Sequence, residues 1–185
     1  MEFTFPRVIG LYHNIRHPDA LTSIDFVKST ITPGQRIAVE SPYSLTQIET
    51  FNEHAKPQFQ FLHDLCTAIS SRRGIVVPIE NAKLYALRSR LHFYFMFEEH
   101  DVYANDWKVQ KTTIMATHSL LALSIENKCE TLVIGTVHAY HLQLAGCPHI
   151  HQVSALDPAT QTEELNSFNK FGKPLTSYVQ RILKN

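Results

Sequence analysis

The chain is predicted to fold as a single α/β domain spanning residues 1–185, a mainly parallel sheet of about five strands with flanking helices. Three observations carry this expectation. Short apolar runs recur along the chain, and each is bounded by turn residues. Between them lie segments with apolar residues at helical spacing. No Gly/Ser linker, long charge run or low-complexity stretch divides the sequence.

The first strand is read over residues 7–12 (RVIGLY) and the second over 35–39 (QRIAV). The third is 74–79 (GIVVPI) and the fourth 131–137 (TLVIGTV), with a weaker fifth over 150–155 (IHQVSA). Continuous apolar runs of this length suit strands buried on both faces. His17-Pro18-Asp19 opens the first helix, with Ala20, Leu21, Ile24, Val27 and Ile31 on one side. Ser44 or Thr46 can cap the second, which Pro57 interrupts before Phe61, Leu65, Ala68 and Ile69 resume the apolar face. Long helical patterns cover residues 82–100 and 106–127, and a last helix covers 175–183. The polar stretch 155–174 reads as an exposed loop or a short helix.

Composition narrows the function classes. Seventeen basic residues balance seventeen acidic ones, so there is no basic excess of the kind nucleic-acid and membrane-surface binders carry. No apolar run is long enough to span a bilayer, and residues 1–7 do not read as a signal peptide. Cys66, Cys129 and Cys147 form no C-x-x-C pair, which points to reduced, non-catalytic thiols. The expected address is the cytoplasm, with no nucleic-acid or membrane partner. Eleven histidines without charge bias point instead to acid–base or metal chemistry.

In an open parallel sheet, ligands bind beyond the carboxyl ends of the strands. The residues there are His13 after the first strand, Glu40 and Ser41 after the second, Glu80 and Asn81 after the third, and His138 after the fourth. Gly10-Leu11-Tyr12-His13 and Gly135-Thr136-Val137-His138 have the same form, which predicts matching corners. Histidine can ligate a metal or take a proton near neutrality, and a neighbouring carboxylate can ligate, fix the tautomer or act as a second base. Two schemes follow. His13, Glu40 and His138 activate a water directly, or His13, Glu40, Glu80 and His138 hold a divalent metal ion. His138 is expected to project where the chain leaves the sheet, so that its loss would spare the fold.

Other polar groups carry weaker signals. His17 could support His13, and Tyr140 and His141 could line the second corner. His149 and His151 alternate on the fifth strand, which suits surface or packing roles. Arg88 and Arg90 lie in an aromatic helix (Tyr85, His92, Phe93, Tyr94, Phe95, Phe97) that reads as a core or dimer face. Glu98, Glu99, His100 and Asp101 read as a solvated helix end. The sequence lacks Walker, G-x-G-x-x-G and G-x-S-x-G motifs, which argues against the usual nucleotide enzymes and serine hydrolases.

The ordered set of Gly10-x-x-His13, Ala38-Val39-Glu40 and Val133-Ile134-Gly135-Thr136-Val137-His138 resembles the TraB, erythromycin-esterase and ChaN-like superfamily over residues 7–145. In the TraB branch the helix before the second corner often carries an Arg-Asn or Arg-Asp pair ahead of Met-Ala. This chain keeps Met115 and Ala116 but not that pair. The superfamily includes metal-dependent peptidases, macrolide esterases that use a histidine-activated water, and a haem-binding lipoprotein. The resemblance therefore implies a hydrolase acting on an ester or amide of a small molecule or peptide through His13, Glu40 and His138. The alternatives are a module binding haem or another small ligand, with the aromatic helix as its wall, and a non-catalytic interaction domain. The chain is shorter than most members, so completion by a homodimer is a further expectation.

Overall fold

The computed structural model describes residues 5–12, 16, 18–51, 56–81, 83–87 and 107–184. Its elements in chain order are β1 (Arg7–Leu11), α1 (Ala20–Thr30), β2 (Arg36–Glu40), α2 (Leu45–Glu49), α3 (Pro57–Ser71), β3 (Ile75–Ile79), α4 (Trp107–Glu126), β4 (Thr131–Gly135), α5 (Thr136–Leu144), β5 (Ile150–Gln152), α6 (Pro158–Phe171) and α7 (Lys173–Ile182). Residues 83–87 are also helical. The five strands form one all-parallel sheet in the order β3-β2-β4-β1-β5, the architecture expected from the sequence. Among the described residues, no helix is long and apolar enough to cross a membrane.

Strand alternation sorts the core into two layers. Ile9, Leu11, Ile37, Val39, Val76 and Val133 face α1 and α3, packing on Ile24, Val27, Phe61, Leu65 and Ile69. Val8, Ala38, Ile79, Leu132 and Ile134 face the other way, onto Leu120, Leu121, Ala139, Leu142, Leu175 and Val179. The topology explains the division. The steps from β1 to β2 and from β2 to β3 run in one direction across the sheet, and the steps to β4 and β5 run back. Right-handed crossovers in opposite directions deposit their helices on opposite faces.

Local chemistry sets the helix starts. Ser44 caps α2 in a reciprocal box with Gln47, the Ser44 hydroxyl accepting from Gln47 N and the Gln47 side chain accepting from Ser44 N. Pro57 occupies the first turn of α3, so it begins that helix rather than interrupting one. Asp157 caps α6, accepting from the backbone of Ala159 and Thr160, with Pro158 in the first turn. The polar stretch read as a loop or short helix is therefore a full helix, held by Phe168 against the core.

Three further expectations are corrected. The fourth strand stops at Gly135, and α5 starts at the next residue with no loop between. Val137 and His138 are consequently helical. The fifth strand is only Ile150–Gln152, an edge strand paired with β1. His149 lies outside it with φ 58°, so it does not alternate with His151, which stacks on Phe26 at 4.2 Å between ring centres.

The two glycine corners do different work. A Cβ on Gly10 would lie 2.4 Å from Cβ of Ala139, so the bare glycine lets α5 sit down on β1. A Cβ on Gly135 would meet its nearest neighbour, Glu40 Oε2, at 3.4 Å, an ordinary contact. Gly10→Ala should therefore destabilise by about 1–3 kcal/mol through overpacking. Gly135→Ala should be neutral or stabilising by about 0.4–1 kcal/mol. Urea unfolding of both variants checks this; equal losses would show that the corners are packed alike.

Candidate functional site

The carboxyl end of β4 is the natural place for a site. Its neighbours β1 and β2 lead to helices on one face, whereas β4 leads directly into α5 on the other. Adjacent strands whose connections part to opposite faces open a crevice between them. Glu40 is the last residue of β2, and alternation places it on the same face as Ala38, the face α5 covers.

Glu40 and His138 meet in that crevice. Oε2 of Glu40 accepts a hydrogen bond from the backbone N–H of Gly135 at 2.8 Å, just where α5 begins. A carboxylate at a helix N-terminus is also favoured by the helix dipole. Oε1 lies 3.3 Å from Nε2 of His138, in the first turn of α5. Both side chains are buried, Glu40 at 8% and His138 at 6% exposure. This corrects the expectation that His138 projects freely from the sheet edge. Its removal would leave buried partners unsatisfied.

The polar contacts continue behind His138. Oγ1 of Thr117, a fully buried residue of α4, lies 2.7 Å from Nδ1 of His138, 3.3 Å from Nδ1 of His141 and 3.0 Å from the carbonyl oxygen of Thr113. Nε2 of His141 lies 2.8 Å from Oε2 of Glu164 on α6. His141 is fully buried, and that burial holds its pKa below the ordinary 6.5, with the Glu164 hydrogen bond acting in the opposite direction. Glu40, His138, Thr117, His141 and Glu164 thus form a continuous chain of contacts from the strand edge to a partly exposed carboxylate on α6.

Sequence reasoning missed Thr117 and Glu164 and left His141 undecided. A usable signal was present: once α5 is helical from Thr136, His138 and His141 are three residues apart and share a face. Glu80, after β3, lies with Glu40 in the wall of a pocket of about 120 Å³, whose aromatic side is Tyr43, Phe59, Phe61 and Tyr85. His138 is not among the lining residues. The Tyr43 hydroxyl is pushed up to about 12, first by burial and then by Tyr85 and Glu80.

His13 and His17 lie outside the described residues, as do Arg88, Arg90 and the aromatic and acidic residues 92–101. Among the described residues, no three His, Cys, Asp or Glu side chains are grouped to hold a metal. The three cysteines are free thiols, and burial pushes Cys66 and Cys147 up to about 12, in keeping with an unreactive role. No protein-family model, curated protein or solved structure matches the chain.

The buried neutral histidine makes stability depend on pH. Below about pH 6.5 the unfolded chain binds a proton that folded His141 resists, so stability should be full above that point and fall as the pH drops through it. His118, whose pKa is lowered by burial and by Arg181, adds a second loss of the same sign. Thermal melts from pH 8 to about pH 5, above the usual carboxylate range, should show this decline. His141→Gln should make the slope shallower without abolishing it. An unchanged slope would mean that His141 is not the group resisting the proton.

Proposed function

We propose that the chain is a hydrolase of an ester or amide, in which Glu40 is the base presented to water and His138 orients it. The observation that carries this reading is the position of Glu40: the residue lines the pocket, while Gly135 N–H and His138 hold its carboxylate. Both nitrogens of His138 are engaged, one by Glu40 and one by Thr117. In the reaction, the water oxygen attacks the carbonyl carbon as Glu40 takes its proton. Collapse of the tetrahedral adduct breaks the bond to the leaving alcohol or amine, which recovers that proton. The resemblance of both corners and of Glu40 to the TraB, erythromycin-esterase and ChaN-like superfamily supports the same class.

A divalent ion fits part of this donor set. Glu40 Oε1 and His138 Nε2 are 3.3 Å apart, and two ligands at about 2.1 Å from one metal lie about 3.0–3.4 Å from each other. His13 would be the third ligand and Glu80 a further one. Such an ion, when bound, makes its water a stronger acid. The pocket also favours a second reading, capture of a small ligand without turnover. At about 120 Å³ it is below the roughly 300–1,000 Å³ of sites for drug-sized molecules.

The test is a panel of short-chain nitrophenyl esters and peptide amides, assayed with chelator and with added Zn²⁺ or Mn²⁺. Turnover should fall about 10²- to 10⁴-fold in Glu40→Gln, with the melting temperature close to the parent's because the amide oxygen can still accept from Gly135. His138→Ala should lose a similar factor and also about 1–3 kcal/mol of stability, because it strands Glu40 and Thr117. Parent-level turnover in Glu40→Gln, or no turnover by the parent on any substrate under either condition, would sink the hydrolase reading. Saturable ligand binding without turnover would favour the second.

A further inference from the structure

We propose that the pocket beside Glu40 is a recognition site for an organic ammonium group, held by the negative charge of Glu40 and Glu80 and by the rings of Tyr43, Phe59 and Tyr85. With the hydrolase reading above, on which this step rests, the substrate is a small ester or amide bearing that group.

Three segments at the carboxyl edge of β2 and β3 build the pocket, each pinned by its own contacts. Ser41, buried directly after β2, fixes the turn that presents Tyr43: its hydroxyl accepts from Tyr43 N–H at 3.0 Å and donates to the Tyr43 carbonyl at 3.2 Å. Asn81, after β3, starts the helical turn that carries Tyr85, its side-chain oxygen accepting from the backbone of Lys83 and Leu84 at 3.1 and 3.2 Å. Phe59 lies in the first turn of α3, which Pro57 begins. The two acidic residues arrive by register. Glu40 pairs with Ile79 across the sheet, and Glu80 follows one residue beyond that pair.

The chemistry of the lining selects the ligand. The charged residues that line the pocket are Glu40 and Glu80, with no lysine or arginine among the described lining residues. Lys56 and Lys83, near in sequence, are exposed. Burial pushes the Tyr43 hydroxyl up to about 12, with Tyr85 and then Glu80 adding to it, so the phenol stays neutral and feels the Glu80 charge. An anion entering here would meet two like charges. A neutral apolar group would displace water from carboxylates without replacing its hydrogen bonds. A cation avoids both costs, and the rings specify an organic one. Tyr43 meets Phe59 at 5.2 Å and 78°, and Tyr85 at 6.4 Å and 69°, a corner of rings rather than a flat stack. Ring faces attract an alkylammonium group within about 6 Å of the ring centre, more strongly as the site is desolvated. At about 120 Å³ the pocket admits a head group rather than a whole drug-sized molecule. Glu40 lines this same pocket, so the ammonium group and the carbonyl attacked by water lie close together in one small substrate.

The test compares choline with neohexyl alcohol, its uncharged isostere with carbon in place of nitrogen, each titrated into the full chain with chelator present. NMR of the tyrosine and phenylalanine ring protons reads binding without any need for turnover. Choline should saturate the shifts at a concentration at least about tenfold lower than the isostere, because two negative charges favour it. Glu80→Gln should remove most of that preference, and Tyr85→Leu should weaken choline several-fold. Equal or reversed affinity for the two, no saturable binding of choline, or a preference untouched by Glu80→Gln would overturn the proposal. The parent comparison alone decides it if a variant does not fold. The two readings fail separately. Choline selectivity without turnover of any ester or amide refutes the hydrolase and leaves the ammonium site standing. Turnover of uncharged esters without choline selectivity refutes the ammonium site and leaves the hydrolase.

Discussion

The burial of the Glu40 carboxylate is the constraint on which the centre of this molecule turns. A carboxylate at the end of a strand in the middle of a sheet loses most of its water and must find donors. The chain supplies two from one place, the Gly135 N–H and the His138 ring. Both can reach Glu40 because α5 starts at the residue after β4, without a loop. The same start drops α5 onto β1 closely enough that Gly10 must lack a Cβ. The glycine corner of β1, the sharp strand-to-helix junction after β4 and the acidic end of β2 therefore answer one requirement.

The polar chain behind that pair is poorly explained by stability. It joins β2, α5, α4 and α6 through Glu40, His138, Thr117, His141 and Glu164, all in or beside the apolar layer that α4 and α5 build with the sheet. Buried ion pairs are commonly no more stabilising than well-packed apolar side chains of the same volume. A buried network is tolerable only if every member is satisfied, because each unsatisfied group is expensive. Retaining five coupled polar residues where leucine and valine would pack is better explained by what the groups do than by what they hold together.

The parts of the fold that were legible are those dictated by local chemistry. β1 to β4 announce themselves because strands buried on both faces need continuous apolar runs, and Glu40 and Glu80 were found because they interrupt those runs at the sheet edge. His138 was found as a residue and misplaced as a structure. Thr136 and Val137 are β-branched and extend the apolar run, so the local pattern favours strand where the tertiary contact with Glu40 begins a helix. Thr117 carried no signal, since a threonine inside a helix most often bonds back to its own turn, as its contact with the Thr113 carbonyl shows. Glu164 was hidden in a polar stretch whose helical character depends on the Asp157 cap and on Phe168 reaching the core.

The likeness of the two Gly-x-x-His corners is a likeness of sequence more than of structure. In the register of the sheet, Gly10 lies opposite Ile134 and Gly135 opposite Leu11, so the two glycines are offset by one residue. The strand that carries Gly10 continues to α1 on one side, and the strand that carries Gly135 continues to α5 on the other. A true structural repeat would send both connections the same way and close the sheet edge between them. Because they part, the edge stays open between β1, β4 and β2, and the buried carboxylate of Glu40 lies where it opens.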